Sequence, residues 1–252
     1  MSEESVQRTN DDATQCKKSA VSLGYWKDPY LNSFGSKSGF SDEGRKAPEI
    51  HLGYWTRVSS IWHLVIKTID RVSELQGQKI QILNLGAGYD TLFWRLTDYL
   101  EQISKDDILQ CFVDIDLAEN SARKCFSVRR SKQLLSKVAG DGNEEVKFSR
   151  TDLHGSRYHV ISANIIDFPQ LQKKLSECSG FKFDTPTLLL AECVLVYIDP
   201  VKVDSFLQWA ALSFQSSIAI INHEQLNIFD KFGQVMLENL SQRGCSLPGI
   251  EG

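Results

Sequence analysis

The chain has 252 residues, of which 42% are hydrophobic and 24% are charged. These proportions are those of a globular protein, and they exclude a disordered, collagen-like or mucin-like chain. The net charge of −4 disfavours a nucleic-acid-binding protein, which would usually carry a basic surface.

The six cysteines indicate reduced thiols rather than a covalent framework. No two of them form a Cys-x-x-Cys pair, so we expect neither disulfides nor a zinc site. The chain begins Met-Ser-Glu-Glu, which is unlike a signal peptide. The longest apolar stretch, residues 185–198, contains Glu192 and is too short to span a membrane. We therefore expect a cytoplasmic protein that binds neither membrane nor nucleic acid.

The N-terminal quarter of the chain has no strong periodicity until residue 58. We expect the polar residues 1–12 to be a disordered N-terminus and residues 13–252 to form a single domain. Residues 13–57 carry short groups of aromatics and glycines, and we expect an irregular segment packed over a core. From Val58 to Leu75, apolar residues recur at spacings of three and four, which predicts a helix.

Strands and helices are predicted to alternate over the rest of the chain. Short apolar segments predict five strands at residues 79–85, 108–116, 158–163, 186–192 and 217–222. Helices are predicted after them at residues 92–103, 118–138, 168–178, 200–214 and 225–242, with a loop at 139–148. Continuously apolar strands are typical of a parallel sheet buried on both faces. We therefore expect an α/β fold with a doubly wound, Rossmann-like sheet.

The first strand runs into a glycine-rich turn. Ligands of such sheets bind outside the carboxyl ends of the strands. Gly86 and Gly88 allow a tight turn and a close approach of backbone to ligand. Thr91 stands where a dinucleotide fingerprint would have its third glycine. This favours a nucleoside ligand without a diphosphate, such as S-adenosylmethionine, over a nicotinamide cofactor.

Polar residues follow the other strands, and each has two interpretations. Asp114 and Asp116 could accept ribose hydroxyls or be solvated acids. Asn164 could bind an adenine edge or only shape a turn. Glu192 ends an apolar strand, so it needs either an ammonium ligand or an ion pair within the protein. Arg57 could hold a carboxylate through its planar guanidinium or be a surface charge.

Several motifs together resemble the leucine carboxyl methyltransferases. They are residues 17–30 (KKSAVSLGYWKDPY), 45–50, 53–58, 84–91 (NLGAGYDT), 190–197 (LAECVLVY) and 230–234, in the family's order. The resemblance implies an S-adenosylmethionine-dependent methyltransferase. Its substrate would be the C-terminal leucine α-carboxylate of type 2A protein phosphatase catalytic subunits. The family's cofactor positions fall here on Lys17, Arg57, Gly86, Asp116, Asn164, Ile165 and Glu192.

Arg57 is also our candidate catalytic residue, as the group that would hold a carboxylate. We expect a monomer, no metal and no covalent intermediate. A tRNA-modifying methyltransferase would share this domain but carry a propeller of repeats downstream, and the sequence has no such repeats.

The sequence departs from the family at three places. Asn164 stands where an aspartate is common, and His223 stands where a tyrosine is usual. Family members also continue beyond Gly252, and we count five strands against seven in the methyltransferase sheet. We therefore expect a shortened form that lacks the last strands and is less stable. The alternative function is an impaired form that binds only cofactor or partner.

Overall fold

The computed structural model describes residues 3–35, 46–75, 77–140, 145–225, 228–242 and 244–250. These residues contain a seven-stranded sheet with the order β3-β4-β5-β2-β1-β6-β7. The strands are β1 (Ile80–Leu85), β2 (Leu109–Asp116), β3 (Lys147–Phe148), β4 (Leu153–His154), β5 (Tyr158–Ser162), β6 (Thr187–Glu192) and β7 (Ile218–His223). The five longer strands pair in parallel, as predicted.

Eight α-helices occupy the described residues. They are α1 (Glu3–Ser22), α2 (Pro48–Ser73), α3 (Leu92–Gln102), α4 (Ala118–Arg130), α5 (Lys132–Ala139), α6 (Phe168–Ser176), α7 (Pro200–Ser213) and α8 (Lys231–Gln242). None of these helices is long and apolar enough to cross a membrane.

The core has two layers of apolar side chains, one on each face of the sheet. One layer joins α2, α3 and α4 to the sheet and contains Trp94, Phe112 and Tyr158. The other joins α6 and α7 to the opposite face and contains Leu171 and Phe206. Helices on both faces of a parallel sheet make the fold a doubly wound α/β fold, which confirms the sequence prediction.

The strand order creates a switch point between β1 and β6. From β1 the chain proceeds to β2 and then to β5 on one side, whereas β6 and β7 lie on the other side of β1. The connections on the two sides therefore diverge at the carboxyl ends of β1 and β6. In open α/β sheets, this crevice is where ligands bind.

Helix starts follow local chemistry that the sequence already carries. Asp167 accepts a hydrogen bond from the Gln170 amide at 3.2 Å, and Asp199 accepts one from the Val201 amide at 3.0 Å. Each aspartate precedes a helix with proline in its first turn, where the proline needs no hydrogen-bond partner. These caps fix the starts of α6 and α7.

The N-terminal region differs from the expectation. Residues 3–12, which we expected to be disordered, lie in α1, and α2 begins ten residues before Val58, at Pro48. The physical reason is tertiary packing, because α1 packs against α2 and carries side chains that bond to β-strand ends. Residues 1–2 of the predicted disordered N-terminus and residues 36–45 of the predicted irregular segment lie outside the described residues.

Three further predictions needed correction. The helix predicted over residues 118–138 is divided at Ser131, whose hydroxyl accepts a hydrogen bond from the Leu134 amide at 3.3 Å and starts α5. The antiparallel strands β3 and β4 were missed because each has only two residues. The last helix begins at Lys231 rather than at residue 225. Residues 226–227 lie outside the described residues, and so do residues 141–144 of the loop predicted at 139–148.

Candidate functional site

A cleft of about 740 Å³ lies at the switch point of the sheet. Its walls come from the ends of β1, β2 and β6, from the segment after β5, and from α1 and α2. The seven residues predicted from the sequence all line it: Lys17, Arg57, Gly86, Asp116, Asn164, Ile165 and Glu192. The structure therefore brings the whole predicted set together, while their roles in binding stay predictions.

The glycine turn after β1 forms the floor of the cleft. Gly86 and Gly88 have φ angles of +58° and +45°, in the left-handed region that side chains disfavour. A Cβ on Gly86 would lie 2.5 Å from Val194 Cγ2. Glycine is therefore required at position 86 for both backbone conformation and space.

Glu192 is the centre of a buried charge cluster, which we call the Glu192 cluster and which includes Lys17 and Arg57. Glu192 Oε1 accepts hydrogen bonds from Lys17 Nζ at 2.8 Å and from Arg57 Nε. Arg57 Nη2 also donates to the Glu192 carbonyl oxygen at 3.4 Å, and the guanidinium lies over the Tyr54 ring. With two cations around one carboxylate, the Glu192 cluster itself carries one excess positive charge.

The cluster controls the ionisation of its members. Burial alone would raise the pKa of Glu192, but the charges of Arg57 and Lys17 overcome it and lower the pKa to about 2. Burial likewise opposes the charge of Arg57, yet Glu192 holds the Arg57 pKa above its usual range. Glu192 and Arg57 are therefore both charged at neutral pH. The interpretation of Glu192 as a member of an internal ion pair is confirmed by this geometry.

Asp116 supports the glycine turn from the end of β2. Its Oδ2 accepts a hydrogen bond from the Gly88 amide at 2.6 Å, and its Oδ1 accepts one from the Leu117 amide at 2.7 Å. Asn120 Nδ2 donates to the same Oδ1 at 3.2 Å. Because each carboxylate oxygen can accept two hydrogen bonds, Asp116 keeps acceptor capacity toward the cleft.

Asp114 has a different environment from Asp116, although both lie on β2. It is 2% exposed in the core, where Oδ2 pairs with Lys124 Nζ at 2.6 Å. Tyr158 and Asn84 donate hydrogen bonds to the same carboxylate. Asp114 does not line the cleft, so the interpretation of Asp114 as a ribose ligand, or as a solvated acid, is wrong.

The segment after β5 supplies a polar rim and an apolar wall. Asn164 is exposed, and its Oδ1 accepts a hydrogen bond from the Ile166 amide at 3.2 Å, so it does shape a turn. Ile165 is buried beside it with Ala163. A planar apolar group would find its contact surface here.

One face of α1 lines the cleft, and apart from Lys17 its residues were missed by the sequence reasoning. Asn10, Ala13, Thr14 and Lys17 stand at spacings of three and four and share this face. Asn10 Oδ1 accepts a hydrogen bond from the Tyr89 amide at 2.9 Å, which ties the helix to the glycine turn. The helical spacing of these four residues was the one available signal.

Three buried polar atoms around the cleft have no hydrogen-bond partner among the described residues. They are Asn10 Nδ2, Asn120 Oδ1 and Glu224 Oε2. The other oxygen of Glu224 accepts hydrogen bonds from the amides of residues 194–196. Unpaired buried groups are costly, so a donor and two acceptors beside one cleft indicate a polar ligand.

His223 lies behind the Glu192 cluster rather than inside the cleft. Its carbonyl oxygen accepts a hydrogen bond from the Cys193 amide at 2.8 Å, and Cys193 has an unusual φ of +55°. Burial lowers the pKa of His223 and raises the pKa of Cys193 to about 11. A neutral thiol with a neutral imidazole agrees with a structural role for Cys193.

A doubly wound sheet with a glycine turn after β1 and carboxylates at the ends of β2 and β6 has the Rossmann-like fold of methyltransferases. A family profile described as leucine carboxyl methyltransferase matches residues 5–211. The chain belongs to this family of methyltransferases.

Individual relatives agree with this assignment. The chain is 41% identical to leucine carboxyl methyltransferase 1 of Bos taurus over 251 residues, which are 99% of this chain and 70% of that protein. It is 37% identical to leucine carboxyl methyltransferase 1 of Caenorhabditis elegans, over 98% of this chain and 71% of that protein. Human tRNA wybutosine-synthesizing protein 4 is 28% identical over 98% of this chain but only 34% of its own length.

Proposed function

We propose that the protein is an S-adenosylmethionine-dependent carboxyl O-methyltransferase. The substrate would be the C-terminal leucine α-carboxylate of the catalytic subunit of type 2A protein phosphatase, which is therefore the proposed partner. The observation that carries the proposal is the Glu192 cluster, which places one excess positive charge beside the glycine turn of the cleft. An excess cation in a partly dry cleft is suited to a carboxylate.

The residues around the cleft fit S-adenosylmethionine group by group. Arg57 and Lys17 would hold its carboxylate, while Asp116 has acceptor capacity for ribose hydroxyls. Ile165 and Asn164 offer an apolar wall and a polar rim for the adenine. The three unpartnered atoms beside the cleft would find hydrogen-bond partners on such a polar ligand.

The chemistry asks the protein for positioning rather than for proton transfer. S-adenosylmethionine, when bound, supplies an electrophilic methyl group. A terminal α-carboxyl has a pKa of about 3.3–3.7, so at pH 7 it is already a nucleophilic anion and needs no base. Arg57 would orient a carboxylate through its guanidinium, and the apolar side of the cleft would remove water from that anion.

The competing function is binding of cofactor or partner without turnover. The two possibilities share the cleft and differ only in whether methyl groups are transferred. A tRNA substrate is disfavoured because the net charge of −4 does not suit a polyanionic partner. The proposal includes a cytoplasmic location, because all six cysteines are free thiols, as in a reducing compartment.

The test is transfer of a labelled methyl group from S-adenosylmethionine to the phosphatase catalytic subunit. The matched control is the same subunit without its C-terminal leucine. We expect label on the intact subunit only, and we expect the label to be removed by mild alkali, as an ester would be. Cofactor binding without any transfer would support the competing function, and equal label on both substrates would contradict the carboxylate assignment.

A further inference from the structure

A cluster of metal-ligating side chains lies outside the cleft, between β4, β5 and the end of α6. One ligand atom from each of His154, His159 and Cys178 lies within 4.8 Å of the others. In a search of the described residues for three or more His, Cys, Asp or Glu side chains that could hold one metal ion, this group was found. His154 and His159 face each other across the antiparallel strands β4 and β5, and the fold brings Cys178, just beyond α6, to them.

The two histidines already have the separation of two ligands on one ion. They are paired across β4 and β5, with the Nδ1 atoms 3.2 Å apart. Tetrahedral zinc with Zn–N bonds of about 2.0–2.1 Å places two nitrogens about 3.3 Å apart. Closing Cys178 onto the same ion requires only a side-chain adjustment of about 1 Å.

A hydrogen bond on the far side of His159 orients its ring. The Nε2 atom lies 2.9 Å from the carbonyl oxygen of Ser179. Because a carbonyl only accepts hydrogen bonds, Nε2 carries the proton and Nδ1 presents its lone pair toward the cluster. Metal-binding histidines usually have such a partner on the other ring nitrogen, which fixes the tautomer.

We infer that His154, His159 and Cys178 form a zinc site. His154 is half-buried and provides access from solvent, whereas His159 and Cys178 are buried. Two imidazoles and a thiolate are a donor set for Zn²⁺, with water as the fourth ligand. The Cys178 thiol donates to the Lys174 carbonyl at 3.4 Å, and zinc binding would release that thiol proton to solvent. The proton through which His154 Nδ1 donates to His159 Nδ1 would move to His154 Nε2, which frees both Nδ1 atoms for the ion. This departs from the expectation, based on cysteine spacing, that there is no metal.

The site would stabilise the sheet edge rather than take part in methyl transfer. The ion would join β4 and β5 to the end of α6, where Lys174 and Asp152 already form an ion pair at 2.7 Å. Since none of the three ligands lines the cleft, zinc occupancy and cofactor binding are expected to be independent.

The test uses the full chain after treatment with a chelator. We expect one equivalent of Zn²⁺ to bind and to raise the thermal midpoint, and Co²⁺ to give a thiolate-to-cobalt charge-transfer band. Cys178→Ser is expected to abolish that band and to weaken zinc binding by at least about 10-fold. Cys125→Ser, which changes a buried cysteine outside the cluster, should keep both properties.

His154→Gln provides a second variant in case Cys178→Ser does not fold, because its side chain is only half-buried. We expect weaker zinc binding by at least about 10-fold, with S-adenosylmethionine affinity unchanged. The inference is overturned if the wild-type chain takes up no stoichiometric zinc. It is also overturned if the cobalt band persists in Cys178→Ser, or if His154→Gln binds zinc as tightly as wild type.

Discussion

Two buried groups of charged side chains differ in their balance of cations and carboxylates. The Asp114–Lys124 pair is balanced, with one cation for one carboxylate, and both side chains are 2% exposed. Lys124 also donates to the Asp90 carbonyl at 3.0 Å, and Tyr158 donates to Asp114. The Glu192 cluster has two cations for one carboxylate, and its side chains are 11–14% exposed along the cleft.

The difference distinguishes a structural ion pair from the candidate binding site. Burial raises the pKa of Asp114 even though Lys124 opposes the shift, so this pair is held by the fold at a cost in solvation. In the Glu192 cluster the cations overcome burial and lower the carboxyl pKa to about 2. A strongly shifted pKa beside a cleft is typical of functional sites, and the proposal of an anion site rests on the charge excess of this cluster.

The largest loss of stability is expected from a substitution in the Asp114–Lys124 pair. Lys124→Met leaves Asp114 buried without its cation and is expected to lower the free energy of unfolding by about 3–5 kcal/mol. Lys137→Met is the matched control, because Lys137 pairs with Asp98 and Glu101 on the surface and should cost less than about 1 kcal/mol. Urea denaturation measures both, and equal losses would contradict the comparison.

A smaller loss of stability is expected from variants of the glycine turn after β1, which forms the floor of the cleft. Gly86→Ala puts a side chain at φ +58° against Val194, and we expect a loss of about 2 to 3 kcal/mol of stability. Adding Val194→Ala removes the clash but not the backbone strain, so part of the stability should return. Full recovery by the double variant would show that the left-handed conformation is not needed.

Removing the carboxylate of the Glu192 cluster tests how its contribution to the free energy of unfolding depends on pH. Glu192→Gln leaves Arg57 and Lys17 uncompensated, and we expect it to be less stable than wild type at pH 7 by on the order of 2 kcal/mol. The folded pKa lies below the ordinary value of 4.5, so Glu192 stabilises the fold above pH 4.5. That contribution is lost as the pH falls from 4.5 toward 2.

The measurement is urea denaturation of both proteins at pH 7, 4.5 and 3. The stability difference should be constant from pH 7 to about 5 and shrink at pH 3, because other carboxylates titrate alike in both proteins. A difference that stays constant down to pH 3 would mean that the cations do not lower the Glu192 pKa.

The parallel sheet was predictable from the local sequence pattern, but the helix α1 and the short strands β3 and β4 were not. Alternating apolar strands and helices predict the parallel sheet because burial on both faces requires continuous apolar runs. Residues 3–12 are too polar for the periodicity to indicate a helix, and α1 depends on contacts such as the one between Asn10 and the Tyr89 amide. Strands of two residues, like β3 and β4, leave no periodicity to detect.

The candidate site was predictable to the extent that strand ends define it. Gly86, Asp116 and Glu192 follow directly from that rule. Asp114 satisfies the same alternation as Asp116, but only the tertiary approach of Lys124 from α4 distinguishes the two. Lys17 and Arg57 come from helices outside the alternating region. The residues alone left Arg57 open between a carboxylate ligand and a surface charge, so the resemblance to the family was needed to choose between these and to select Lys17.

The most direct test of the account is calorimetric titration of S-adenosylmethionine into the wild-type chain and Arg57→Lys. Lysine keeps the charge but loses the planar guanidinium that could hold a carboxylate while bound to Glu192. We expect 1:1 binding to wild type and affinity lower by about 2 kcal/mol, or roughly 30-fold, in the variant. No binding to the wild-type chain, or equal affinities of the two proteins, would contradict the assignment of the Glu192 cluster as the anion site.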